Sequence, residues 1–280
     1  RPPPIGKSVK LPPERESCGP VRERVRPLMQ APALLLSALL AAAPLNAQQP
    51  PAQRPPARTL LEDVIPTSAG DLTITFVGHG TLMFRHGGRV VHVDPVGREA
   101  DYSRMPKADL ILITHEHGDH LDTAAVEMLR KDGTEVVVSP SCEGRVQRAT
   151  VMRNGEAREV AGFRVEALPA YNLVHTRAGG QPYHPRGNGN GYVISFADVR
   201  VYVAGDTENT PEMKALRNVA VAFLPMNLPY TMTPEMVADA ARSIRPRILY
   251  PYHFGQTDPQ VLVRLLAGEE GIEVRVRQMP

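Results

Sequence analysis

The chain has 280 residues, 42% of them hydrophobic, which is enough for one large domain or two small ones. With 32 basic and 30 acidic residues its formal net charge is only +2, so charge makes no case for a nucleic-acid partner. Of the two cysteines, Cys18 lies in the N-terminal segment set apart below, and Cys142, then alone, gives no disulfide framework.

The basic residues are unevenly spread. Residues 1–58 hold nine Lys/Arg and three Asp/Glu, which leaves 23 and 27 in the remainder, a mildly acidic body of net −4. Residues 1–28 begin Pro-rich and charged and are read as a disordered or upstream segment. Next, a basic flank (Arg22, Arg24, Arg26) precedes an apolar run from Ala33 to Ala43 and a small residue at Ala47. That is the layout of a secretory signal peptide, placed at 29–47, and its apolar core is too short to span a bilayer. This predicts a periplasmic or secreted protein with no stable membrane span after cleavage, or a cytoplasmic one if the run is a start-site artefact. A Pro-rich linker covers 48–59, and the folded domain is expected over 60–280, starting near Leu60 or Leu72.

Strand-like runs then appear in hairpin order at 72–77, 81–85 and 89–94. The run DLILIT (109–114) reads as a strand buried on both faces, followed by a helix from Asp122 stopped at Gly133 and a strand EVVVS. Cys142 just beyond it is expected to be a buried thiol. Further strands are predicted at 163–169, 191–196 and 199–205. Two Thr-Pro openings, at Thr210 and Thr233, each predict a capped helix. A strand RILYPYH and a helix from Asp258 close the chain. Hairpins followed by strand–helix alternation indicate a layered α/β domain, and no short-period repeat is visible.

One stretch carries chemistry. ITHEHGDHLD (113–122) places three histidines and two aspartates in ten residues, directly after the apolar strand. Imidazole and carboxylate together suit zinc, iron or manganese, and a buried strand gives their loop a rigid base. His115, His117, Asp119 and His120 are therefore read as a metal site. There is no G-x-S-x-G elbow for a serine nucleophile. The glycine-rich GGQPYHPRGNGNG lacks the Lys-Ser/Thr ending of a phosphate loop, so it is read as a flexible active-site loop.

Five more motifs follow in order: FVGHGTLMF (76–84), VHVDP (91–95), GYVI (191–194), AGDT (204–207) and YPYHFG (250–255). With THEHGDHLD they resemble the metallo-β-lactamase superfamily, most of all its L-ascorbate-6-phosphate lactonase-like branch, over Leu72 to Gly255. The resemblance implies an α/β fold, a four-layer αββα sandwich, with two divalent metal ions at one edge: zinc first, manganese or iron as alternatives. It implies that His115 and His117 hold the first ion, Asp119, His120 and His253 the second, and that Asp206 bridges them. The third histidine of the first site departs from the pattern, because Asn172 stands where relatives carry it. His184 is the preferred replacement, His175 the second choice, and Asn172 or water the third. The resemblance places His79 near the site but not as a ligand, while His86 and His92 are read as structural.

The function expected from this is a hydrolase using a metal-bound hydroxide on a small ester, lactone, lactam or phosphodiester. Asp119 would hold metal and orient the nucleophile, and Tyr230 would donate to a developing oxyanion. The alternatives are an iron-dependent oxidoreductase on the same scaffold or a metal-stabilised binding protein without turnover. The expected partner is a small molecule, not nucleic acid, and a homo-oligomer is compatible with the sequence.

Overall fold

The structure is a computed structural model that describes Thr59 to Met279. The segments read from the sequence as upstream residues and signal peptide, and all but the last residue of the expected linker, lie outside the described residues. Within them, no helix is long and apolar enough to cross a membrane.

Among the described residues, fourteen strands form two seven-stranded sheets. The first holds β1 (Leu61–Thr67), β2 (Gly70–Gly78), β3 (Thr81–His86), β4 (Arg89–Val93), β5 (Leu110–Ile113), β6 (Glu135–Val138) and β7 (Thr150–Val151), in chain order. The second holds β8 (Ala157–Val160), β9 (Phe163–Ala170), β10 (Gly189–Phe196), β11 (Val199–Val203), β12 (Val221–Pro225), β13 (Ile248–Tyr252) and β14 (Glu273–Val274). In each sheet the first four strands pair antiparallel and the rest parallel. The two halves thus repeat one topology without a legible sequence repeat. Parallel pairs need crossovers, and these carry the helices. Helix α1 (Thr123–Leu129) joins β5 to β6, α2 (Pro211–Lys214) joins β11 to β12, α3 (Pro234–Ile244) joins β12 to β13, and α4 (Pro259–Leu265) joins β13 to β14.

Side-chain direction along β5 shows how the layers form. Leu110 and Leu112 enter the core between the sheets with Phe76, Phe84 and Phe223. Ile111 and Ile113 point the other way, into a second cluster with Val126 and Leu129 of α1. Both faces are dry, which is why this strand is an unbroken apolar run. Between the sheets, Phe84 meets Phe196 at 5.5 Å and Phe76 meets Tyr250 at 5.0 Å between ring centroids. On the far side, α3 buries Val237, Ala238, Ala241 and Ile244, and its first turn is capped by Thr233, whose side chain accepts from Met236 N. The layers are helix, sheet, sheet, helices: the expected αββα sandwich. Cys142 is buried as read, and burial pushes its thiol up to about 11.

Several expectations change in detail. Helix α1 stops at Leu129, because Arg130 turns to extended backbone and Gly133 falls in the turn beyond. The helix predicted from Thr210 is one turn long. Strands β1, β7, β8, β12 and β14 were not anticipated. Strand β1 exposes Leu61 and Val64 and is held by charge, with Glu62 accepting from Arg85 Nη2 at 2.8 Å, so it lacks a clean alternation. The glycine-rich stretch is only in part a loop: its last residues, Gly189 to Gly191, open β10.

Candidate metal centre

The carboxyl ends of β4, β5, β11 and β13 deliver Asp94, His115 with its loop, Asp206 and His253 to one region, as expected of strand ends in a layered α/β fold. Two groups of ligand-type atoms result. His115, His117, His184 and Asp206 form one; His79, Asp119, His120 and His253 form the other; within each, the atoms lie within 4.8 Å of one another.

Distances inside the first group suit one ion. His115 Nε2 is 3.1 Å from His117 Nδ1, His184 Nε2 is 3.3 Å from His117 Nδ1 and 3.3 Å from Asp206 Oδ2, and His115 Nε2 is 3.9 Å from Asp206 Oδ2. Ligand atoms tetrahedrally placed at 2.0–2.1 Å from zinc stand roughly 3.3–3.4 Å apart. Asp206 turns its other oxygen, Oδ1, to the second group: 3.4 Å from His120 Nε2 and 3.5 Å from His253 Nε2. Asp119 Oδ2 lies 3.2 Å from His79 Nε2, 3.6 Å from His253 Nε2 and 4.0 Å from His120 Nε2. Three buried atoms here, His120 Nε2, Asp206 Oδ1 and His253 Nε2, have no hydrogen-bond partner. Buried polar atoms without partners are costly, and three converging on one point fit a cation between them.

The surroundings set the ring orientations. Asp94, fully buried, accepts from Thr114 N at 2.7 Å, Thr114 Oγ1 at 2.6 Å and His120 Nδ1 at 2.8 Å. With Nδ1 committed to Asp94, His120 turns Nε2 toward Asp206. Asn172 does the same for His184. Its Oδ1 accepts from His184 Nδ1 at 2.9 Å, while its Nδ2 donates to Glu208 Oε1 at 3.1 Å and Tyr230 O at 2.8 Å. Glu208, also fully buried, accepts from the backbone N of Leu173, Val174 and His175 and so holds the loop that carries Asn172.

The backbone is strained where the groups meet. His79 (φ 50°), Asp94 (φ 46°) and His253 (φ 46°) all sit in the left-handed region, an unusual backbone that accumulates at functional sites. Gly80 leaves room for a ring: a Cβ there would lie 2.7 Å from His120 Cε1.

Charge follows burial and neighbours. Burial holds His115 well below the ordinary histidine value, reinforced by His120. Burial also opposes charge on His120, but Asp206 and Asp94 outweigh it and push it up to about 9. Asp206 is held well below the carboxylate range despite burial, because His253 and His120 favour its anion.

The two groups lie at the base of a cleft of about 500 Å³, which Arg177, Tyr183, Asn227 and Tyr230 also line. Every residue preferred from the sequence as a metal ligand, His115, His117, Asp119, His120, His184, Asp206 and His253, is brought into the two groups. His184 joins the first, and His175 does not; it sits 2.7 Å from Glu208 instead. Asn172 orients His184 rather than joining the group. Tyr230 lines the cleft, 45% exposed. His79, read as adjacent to the site only, lies within the second group. His86 packs on Phe196, and His92 is buried against the Pro106 carbonyl, both in the strands. Sequence reasoning assigned no role to Asp94, Thr114 or Glu208; the motifs VHVDP, THEHGDHLD and AGDT held or adjoined them, but only packing shows what they bind.

A model of the beta-lactamase superfamily domain matches residues 73–253. The UPF0173 metal-dependent hydrolase of Methanopyrus kandleri is 32% identical over 233 residues, covering 73% of this chain and 95% of the relative. That of Koribacter versatilis is 33% identical over 199 residues, covering 66% and 84%. A crystal structure from Parabacteroides distasonis, described as a metal-dependent hydrolase, is 45% identical with a TM-score of 0.75, covering 79% of this chain and 100% of that one. The chain therefore belongs to the beta-lactamase superfamily, where it groups with proteins named metal-dependent hydrolases.

Proposed function

We propose that this protein is a metal-dependent hydrolase with a dinuclear centre, acting on a small ester, lactone, lactam or phosphodiester. The observation that carries the reading is the division of the Asp206 carboxylate: Oδ2 faces His115 and His184, and Oδ1 faces His120 and His253. Its two oxygens are shared between two nitrogen-rich groups, as a bridging ligand requires. Zinc is the ion the donor set suits first, with manganese or iron as alternatives. Divalent ions so held lower the pKa of bound water and polarise the scissile oxygen.

The chain's own residues supply the rest. Asp119 is partly open to the cleft, with His79 Nε2 holding one oxygen at 3.2 Å. It accepts a hydrogen bond from the attacking water and fixes its direction. Tyr230, which also lines the cleft, would donate to the developing oxyanion. The cleft volume suits a small molecule, and the acidic body disfavours a long polyanion. The motif likeness to lactonases keeps lactones in the substrate set. An exported protein would meet such substrates outside the cytoplasm.

The test joins elemental analysis to turnover. Two divalent ions per chain, one lost in His184→Ala, with hydrolysis of aryl esters, lactones, lactams or bis(4-nitrophenyl) phosphate that chelator abolishes and metal restores, supports the proposal. A chain loaded with two ions that hydrolyses none of these, or turnover that survives stripping, overturns it.

A further inference from the structure

The cleft has a second chemical character beside its histidines and aspartates. Arg177 lines it together with Asp119, His184 and Asp206. Among the described residues Arg177 makes no ion pair; its guanidinium lies over the Tyr183 ring, 5.1 Å from the centroid. A cation–π contact holds the group in place without neutralising it. The backbone beneath is also held. Arg177 N donates to Gln181 O at 2.7 Å, Gly180 N donates to Arg177 O at 2.9 Å, and Thr176 pairs with Pro182. A closed hairpin thus presents an uncompensated positive charge to the cleft, whose acidic residues Asp119 and Asp206 face the histidines.

Apolar surface gathers at the same place. Tyr183 and Tyr230 meet edge to face at 5.0 Å. Of the seven large hydrophobic residues exposed among the described residues, Leu173, Val174, Leu228 and Tyr230 lie on the two loops beside the cleft. Asn172 Nδ2 ties those loops together through Tyr230 O at 2.8 Å. Concentrated apolar exposure of this kind marks a binding surface.

We infer that the site takes a small amphiphilic substrate. A single oxyanion group, carboxylate or phosphoryl, is bound by Arg177, and an aryl or alkyl body lies on Tyr183 and Tyr230, with the scissile bond over Asp119. This rests on the hydrolase reading above and adds a substrate class to it. A planar guanidinium recognises such oxyanions in bidentate fashion.

The experiment compares three esters that differ at one end: 4-nitrophenyl pentanoate, mono-4-nitrophenyl glutarate and the phosphonate-ended analogue. The kcat/KM ratio of each anionic ester to the neutral one is measured on the metal-loaded full chain and on Arg177→Gln and Arg177→Lys. The ratio is internal to each protein, so partial misfolding does not imitate the effect. The expected ratio is about tenfold or more, falling toward one in R177Q and staying intermediate in R177K; whichever anionic ester gives the higher ratio identifies the oxyanion. No preference, or one that R177Q retains, overturns the inference. Calorimetric binding of 4-phenylbutyrate to metal-stripped protein separates the two readings. If neither these esters nor the lactones, lactams and bis(4-nitrophenyl) phosphate of the test above are turned over, the hydrolase reading fails, yet a Kd weakened about tenfold in R177Q still supports the Arg177 assignment. An unchanged Kd sinks it.

Discussion

Asn172 Oδ1 accepts two hydrogen bonds from one residue, His184: from ring Nδ1 at 2.9 Å and from backbone N at 2.8 Å. The residue that interrupts the expected ligand pattern is the one that orients the histidine proposed in its place. With Nδ1 donating, the Nε2 lone pair is directed at His117 and Asp206. Outer partners of this kind typically contribute 10–100-fold in metal affinity. Asn172→Ala should weaken the ion of the first group by roughly that factor, and His184→Ala should weaken it further. Chelator competition measures both, and wild-type affinity in Asn172→Ala would falsify the orienting role.

Asp94 bears three buried donors, two from Thr114 and one from His120. Truncation removes this acceptor from all three in a dry site, and among the described residues only Thr114 Oγ1 has another partner nearby, His115 Nδ1 at 3.0 Å. Asp94→Ala should therefore cost about 3 kcal/mol or more of stability, read by urea unfolding of metal-free protein. A loss under about 1 kcal/mol would mean that water or a neighbour takes over those donors.

Gly80 packs against the His120 ring, which Asp94 prevents from swinging aside. An alanine Cβ would need the ring to move. With two ions held as proposed, Gly80→Ala should lose the ion of the second group while keeping that of the first, so elemental analysis should fall from near two ions to near one. Full occupancy in the variant would show that the ring has slack.

His92 offers a pH signature away from both groups. It is fully buried on β4, and burial pushes its pKa down to about 4, against a partial pull upward from the Pro106 carbonyl. The unfolded chain takes up this proton near pH 6.5, the folded chain only near 4, so the unfolded state binds more protons between those values. Stability contributed by neutral His92 is complete above about 6.5 and is lost as pH falls toward 4. Between pH 7 and 5 the wild type should lose about 2 kcal/mol that His92→Phe does not. Chemical denaturation of both metal-stripped proteins at the two pH values measures the difference; equal slopes would place the His92 proton elsewhere.

Much of this protein was legible in the chain because its signals are local. The run Leu110 to Ile113 is apolar throughout since both faces of β5 are buried, and the Thr-Pro pair opens α3 because it caps a first turn. The histidines and aspartate at 115–120 share one loop, so their clustering needs no folding to be seen. Tertiary structure decided what depends on distance in space. His184 and Asn172 are twelve residues apart, and only the fold sets one behind the other. His79 reaches Asp119 across forty residues because a left-handed turn after β2 aims it there. Glu208 looks like any surface glutamate in sequence, yet it is fully buried beneath three backbone donors. A residue's type and its immediate neighbours determine which bonds it can make; which it does make depends on what long-range packing brings within about 3 Å and seals from water.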